Sequence, residues 1–282
     1  MRKSDLNRAR ANKRDEFYTQ RCTVDEGLAW LLNIPSFKRV YCPCDTRTSA
    51  FVNWALAHDY EVRFSGEEDG GYEAHWRDRD WADVVVTNPP FSLFRDFYKW
   101  LTVSRMPNAR IRVSGVPFVV LSNLNTLCTK GLEQDWIEKR IRSFVPTCKW
   151  FAIPSHYDNY YPSTHYKFNK AGEKMFEVPG ARWLTNLTNE CPRPLRPKPW
   201  RPCRAPILLD DKTVSYGAKD SVPEAWRGEI AVTPTWIDYY DPDKHDITKW
   251  DNNPKDMDGN FVYKRYRVRC QDWWREKCGC GG

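Results

Sequence analysis

Asn88-Pro89-Pro90-Phe91 follows directly on the apolar run Val84-Val85-Val86. These residue types suit one kind of chemistry. An exocyclic amino nitrogen such as that of adenine is a poor nucleophile, because its lone pair is delocalised into the ring. Two acceptors aimed at its N–H bonds, the Asn88 side-chain oxygen and the Pro89 carbonyl, would draw it toward tetrahedral geometry and free the lone pair for in-line attack on a methyl sulfonium. Pro89 and Pro90 stiffen the backbone, so the acceptors are in place before the substrate arrives. Phe91 offers a face for stacking an extruded base, which is worth ~1–3 kcal/mol. An amino group inside duplex DNA is reached only when its base leaves the stack. The bland reading is a proline turn leaving a strand.

Other polar clusters could serve a bound donor. In Tyr41-Cys42-Pro43-Cys44-Asp45 the carboxylate could hold a methionine-like amino group, or it could cap the next helix or turn. Glu67 or Glu68, after the next strand, could accept hydrogen bonds from ribose hydroxyls, or belong to a solvated acidic turn. Asp80 is either an adenine contact of the donor or a surface carboxylate. Phe17, Tyr18 and Thr19 stand in an acid–aromatic cluster, Asp15-Glu16-Phe17-Tyr18-Thr19, that is weak evidence alone.

The elements that must position these groups alternate. RVYCPC (39–44), YEVRF (60–64), WADVVV (81–86), VPFVVLS (116–122), KWFAIP (149–154) and ARWLTNL (181–187) read as strands. A helix is expected around Ser49–His58. Another should carry Phe94, Phe97, Tyr98 and Leu101 on one face, and a third should carry Leu132, Trp136, Ile137 and Ile141 and end before Pro146. Alternation of this kind predicts a mostly parallel sheet with helices on both faces, and such sheets bind ligands beyond the carboxyl ends of their strands. Asp45 and Asn88 fall at such ends. Residues 207–282 show little periodicity and read as an irregular lobe.

The 282 residues carry a net charge of +7 and 14 Trp, a balance compatible with a polyanionic partner but weak as evidence by itself. MRKSDLNRARANKR (1–14) reads as a basic arm or a solvated tail. PRPLRPKPWRPCRAP (192–206) reads as a stiff strap or a phosphate-contacting loop with Trp200 as a wedge. No apolar run approaches the ~20 residues of a bilayer span, and the N-terminus lacks the apolar core of a secretory signal, so no membrane and a cytoplasmic location are expected. Ten Cys with no CxxC pair predict reduced thiols and no metal, although the pairs Cys42/Cys44 and Cys278/Cys280 could chelate zinc.

Taken together, DEFYTQ (15–20), CPCD (42–45), VVVTNPPFSLFRDF (84–97), RWLTNL (182–187) and VPEAWRGEIAVTPTWIDYYDPDKHDI (222–247) resemble the EcoRI-type adenine-specific DNA methyltransferase family. The resemblance implies an α/β, Rossmann-like methyltransferase fold, S-adenosyl-L-methionine as donor and double-stranded DNA as substrate. By position, Phe17 and Tyr18 would line the cofactor pocket, Cys42 to Asp45 would hold its methionine end, and Asn88 to Phe91 would be catalytic. It further implies a methyltransferase domain over 15–190, with the arm before it and a Pro/Arg-rich segment and C-terminal lobe over 191–282, the candidate for target recognition. The glycine-rich loop common in methyltransferases is missing, as it is in the family. A monomer is expected, since methylating one strand at a time needs one site, and a cognate restriction nuclease would act separately. The alternatives are an amino-methyltransferase acting on cytosine N4, RNA or a protein amide, and a binding relative that has lost turnover.

Overall fold

A computed structural model describes residues 18–66, 71–102, 115–127, 129–152, 166–169, 171–178, 180–193, 207–210, 213–217, 228–251 and 254–270. Phe17, Glu67 and Glu68, the basic arm, most of the Pro/Arg-rich segment and the tail from 271 lie outside the described residues. Two compact units emerge: residues 1–126 with 145–191, and residues 127–144 with 192–282. The stretch 127–144, expected inside one continuous catalytic domain, groups with the second unit.

The first unit is mixed α/β. Its main strands are β2 (Arg39–Cys42), β3 (Glu61–Phe64), β4 (Val84–Thr87), β5 (Phe118–Asn123) and β10 (Ala181–Thr185), ordered β3-β2-β4-β5-β10. The β3/β2, β2/β4 and β4/β5 pairings are parallel; β10 runs antiparallel to β5. Strands β4, β5 and β10 are buried along their whole length, which explains why β4 and β5 read as apolar runs rather than alternating ones. Between them run α2 (Ala50–Ala57) and α5 (Phe94–Thr102). Helix α5 buries Phe94, Phe97, Tyr98 and Leu101 as its spacing predicts.

A second sheet in this unit is wholly antiparallel and joins β1 (Tyr18–Thr19), β7 (Trp150–Ala152), β9 (Lys174–Glu177) and β8 (Tyr166–Phe168). The sequence suggests a strand at β7 but not this separate sheet. α1 (Arg21–Leu28) packs so closely on β10 that a Cβ at Gly27 would lie 2.3 Å from the buried Trp183 ring. Two thiols, Cys22 and Cys148, meet at 2.9 Å beside the β1–β7 pair.

In the second unit, residues that read as irregular form a five-stranded sheet ordered β11-β12-β13-β15-β14. Its strands are β11 (Ile207–Leu208), β12 (Val214–Tyr216), β13 (Glu229–Val232), β14 (His245–Asp251) and β15 (Arg265–Cys270). In strand β15 Tyr266 and Val268 are buried, Arg267 is half-buried and Arg269 exposed, while Arg265 at its start is buried as well. In β14 the register shifts between Ile247 and Lys249, which breaks the period-two pattern and hid the strand from a periodicity reading. Arg267 ties the sheet together, bonding Asp251 at 2.6 Å, Asp210 at 2.9 Å and Thr213 at 2.9 Å.

Helix α6 (Lys130–Ile137) belongs here because its neighbours do: the Leu127 carbonyl accepts from Trp136 Nε1 and from Tyr266 Oη, each at 3.2 Å, and Glu133 accepts from the Trp250 amide at 3.1 Å. The helix stops at Ile137, short of the expected Ile141, because Lys139 adopts φ +58° in the left-handed region. Among the described residues no helix is long and apolar enough to cross a membrane, and no group of three or more His, Cys, Asp or Glu is placed to hold a metal.

Gly27→Ala is expected to cost about 1–3 kcal/mol, since the added methyl must displace a fully buried indole. Thermal unfolding of the variant checks it, and an unchanged midpoint would mean that α1 and Trp183 do not pack this closely.

Candidate active site

In a parallel sheet the residues just after adjacent strands meet at one edge. Here β2 and β4 are direct neighbours, with Val40 opposite Val84 and Tyr41 opposite Val85, so the segments after Cys42 and after Thr87 emerge side by side. The chain turns at once after β2, with the Asp45 amide donating to the Cys42 carbonyl at 3.3 Å. Cys42 and Pro43 are buried, Cys44 is half-buried, and Asp45 keeps only 8 % of its surface.

A buried carboxylate needs hydrogen bonds. Thr87, the last residue of β4 and fully buried, donates its hydroxyl to Asp45 Oδ2 at 2.5 Å and accepts from the Cys44 amide at 3.3 Å. Burial nevertheless raises the Asp45 carboxyl to about 7, against the opposing pull of hydrogen bonds from Thr87 and Ser49. Asp45 does not cap the next helix. Ser49 does, its hydroxyl accepting from the Val52 amide at 3.2 Å. The helix-capping alternative for Asp45 therefore falls away, while its bond with Ser49 keeps it tied to the turn before that helix.

The end of β3 closes the other side. Tyr41 Oη lies 2.6 Å from Ser65 Oγ, and the Ser65 hydroxyl donates to the Pro43 carbonyl at 3.1 Å. The Gly66 amide donates to the Asp45 carbonyl at 3.0 Å, and a Cβ at Gly66 would fall 2.7 Å from that same oxygen. Only glycine permits this approach. Tyr72, in the single-turn helix α3 (Gly71–Ala74), sets its ring edge-on to Phe97 and Trp100 of α5. Burial, with the charges of Glu73, Cys44 and Asp96 nearby, keeps its phenol protonated well above the usual range.

Asn88 leaves β4 next to this cluster. Asn88 and Pro90 are half-buried, and Pro89 is buried. The Asn88 Oδ1 atom is itself shielded from solvent. Phe91 opens a 3-10 turn, Phe91–Leu93, that leads into α5, and it keeps only 8 % exposure. The expected open aromatic face is therefore largely covered in this state, and stacking a base there requires a side-chain rearrangement.

Of the remaining predicted residues, Tyr18, Thr19 and Asp80 are described. Tyr18, 57 % exposed, and Thr19 pair with Ala152 and Phe151 in the antiparallel sheet, and no hydrogen bond joins them to Asp45 or Thr87 among the described residues. Asp80 is exposed, accepts from Arg79 Nε at 2.8 Å, and lies near the end of α4 (Trp76–Trp81), which feeds the opening of β4. That edge is fixed by Asp83, which accepts from the Lys38 and Arg39 amides at the start of β2. Asp80 thus lies by the amino ends of the strands, away from Asn88. The sequence reading passed over Thr87, Ser65 and Gly66. Their signals were a lone hydroxyl closing the run VVVT and a Ser-Gly directly after a strand.

Comparison with known proteins adds independent findings. The family model for the adenine-specific methyltransferase EcoRI matches residues 75–277. The chain is 23% identical to the type II methyltransferase M.EcoRI of Escherichia coli, over 94% of this chain and 95% of that protein. It is 25% identical to the type II methyltransferase M.MpnI of Mycoplasma pneumoniae, over 88% and 86%. A type II methyltransferase of Mycoplasma genitalium is 26% identical over 61% of this chain and 53% of that protein. No solved structure matches.

The raised Asp45 carboxyl has a thermodynamic sign. Its folded pKa lies above the unfolded value, so the free protein loses stability as pH rises from about 4 to about 7. Asp45→Asn should flatten that part of the stability–pH curve in chemical unfolding. An equal slope in both proteins would place the titration elsewhere.

Proposed function

We propose that this chain, which belongs to the EcoRI-type adenine-specific methyltransferase family, moves a methyl group from S-adenosyl-L-methionine to the exocyclic N6 of an adenine within a specific sequence of double-stranded DNA. The observation that carries the reading is the side-by-side emergence of the Asp45 turn and the Asn88 tetrapeptide from neighbouring parallel strands. Parallel β3-β2-β4-β5 order with ligand groups at the carboxyl ends supports a Rossmann-like methyltransferase fold for the first unit.

The residues at the strand ends fit the donor. A methionine moiety carries an ammonium, and Asp45 is a buried carboxylate whose uncompensated desolvation an ammonium would relieve. Gly66 keeps side-chain bulk away from the Asp45 backbone. Cys42 contributes through its backbone turn, since its thiol is fully buried, while Pro43 and Cys44 shape the same turn. Phe17 and Tyr18 enter as donor contacts on the family resemblance, Thr19 as their neighbour in the same cluster, and Glu67 as an acid after β3 that could meet ribose hydroxyls. Asp80 is better read as the partner of Arg79.

When bound, the donor supplies a methyl group on a positively charged sulfur. The chain's own groups do the rest. Asn88 Oδ1 and the Pro89 carbonyl accept the two amino N–H bonds and localise the nitrogen lone pair. Pro89 and Pro90 fix the directions of those acceptors, and Phe91 holds the extruded base once its ring is uncovered. Burial of Pro89 limits water around the nitrogen. No general base is needed if the proton leaves after transfer. The same acceptors would serve cytosine N4, and the family description favours adenine. Target recognition is assigned to the second unit and the Pro/Arg-rich segment, and the enzyme acts as a monomer apart from any cognate nuclease.

Asn88→Ala is expected to lower transfer by about a hundredfold or more while donor affinity stays near normal. Single-turnover assays with separate donor titration check it; lost donor binding with intact turnover per bound donor would overturn the assignment. DNA affinity should fall steeply with salt, through phosphate contacts from Lys and Arg. A flat response in a binding titration would remove the basic segments from the interface.

A further inference from the structure

We propose that Thr87 is a positioning residue for the methyl donor: its hydroxyl orients the Asp45 carboxylate and fixes that carboxylate to the strand carrying Asn88. The inference rests on reading Asp45 as the donor's ammonium contact, and it assigns Thr87 a role that the tetrapeptide motif does not include.

Thr87 closes a strand whose other residues, Val84, Val85 and Val86, are all buried and apolar. Packing alone would be served by a fourth valine. A fully buried hydroxyl is instead present, and both of its hydrogen-bonding capacities are used on the loop after β2. It accepts from the Cys44 amide, which sets the turn, and donates to Asp45 Oδ2, which orients the carboxylate. Charge-assisted bonds of this length are strong and directional. The next peptide is Asn88, so the group that orients the donor's carboxylate and the group that meets the target nitrogen share one rigid stretch of β4. Ser49 also bonds Asp45, but from the helix side and with no covalent tie to Asn88.

Removing the hydroxyl while keeping the branched shape leaves both the Cys44 amide and Asp45 Oδ2 short of a partner. Thr87→Val should therefore raise the donor Kd and donor KM by roughly tenfold to a hundredfold, with kcat at saturating donor within about threefold of wild type. Thr87→Ser, which keeps the hydroxyl, should recover most of the affinity. In an Asp45→Ala background, Thr87→Val should add little further loss, because the oriented group is gone.

Calorimetric donor titration and steady-state kinetics on the four proteins, with thermal unfolding as the folding control, decide the matter. If Thr87→Val does not fold, Thr87→Ala compared with Thr87→Ser gives the same reading. An unchanged donor KM in Thr87→Val, or a loss confined to kcat, overturns the proposal while Asp45→Ala still loses donor affinity. Unchanged donor affinity in Asp45→Ala overturns the assignment of Asp45 itself, and the role of Thr87 with it.

Discussion

A carboxylate kept almost out of water at the end of a parallel strand is the constraint around which the first unit is arranged. Asp45 is held by Thr87 from the neighbouring strand, by Ser49 from the following helix, and by the Gly66 amide on its backbone from the strand beyond. Each contact requires a particular register. A one-residue slip of β4 against β2 would turn Thr87 to the opposite face and leave the buried Asp45 without that donor. The apolar bulk of β4, β5 and β10 makes the sheet, and the polar closure at its edge fixes which alignment of that sheet is usable.

On the proposed function, the same closure would link two chemical tasks that must meet within bonding distance. A methyl transfer needs the nitrogen and the donor in line, and errors of an ångström are costly. With the proposed acceptors on the residues after β4 and the proposed donor contact on the residues after β2, their separation would be a property of strand pairing rather than of loop conformation. The Phe91 ring is 8 % exposed, so the proposed stacking of a base on it calls for a side-chain movement.

Much of this was legible in the residues. Val84 to Val86 marked a buried strand that ends just before the candidate tetrapeptide Asn88-Pro89-Pro90-Phe91, and the helix after it buried the face its spacing indicated. Hidden from a one-dimensional reading were the contacts that depend on pairing. Thr87 looks like the end of an apolar run, and Gly66 looks like an ordinary turn glycine until β3 is placed beside β2. Closeness in sequence to Asn88 hides the length of β4, which puts Asp80 and Asn88 at opposite ends of a strand, and the exposed Asp80 fits the surface-carboxylate alternative. In the second unit, short strands and the shifted register of β14 obscured a five-stranded sheet, although the alternation of Arg265-Tyr266-Arg267-Val268-Arg269 was available to be read.

The account turns on what the Asn88 acceptors face, and the product reports that directly. Purified protein incubated with duplex DNA and a donor labelled in its methyl group, followed by digestion and separation of nucleosides, should place the label in N6-methyladenosine of the deoxy series, at one recurrent sequence. Label in N4-methylcytosine, or donor binding with no transfer to any DNA, would contradict it.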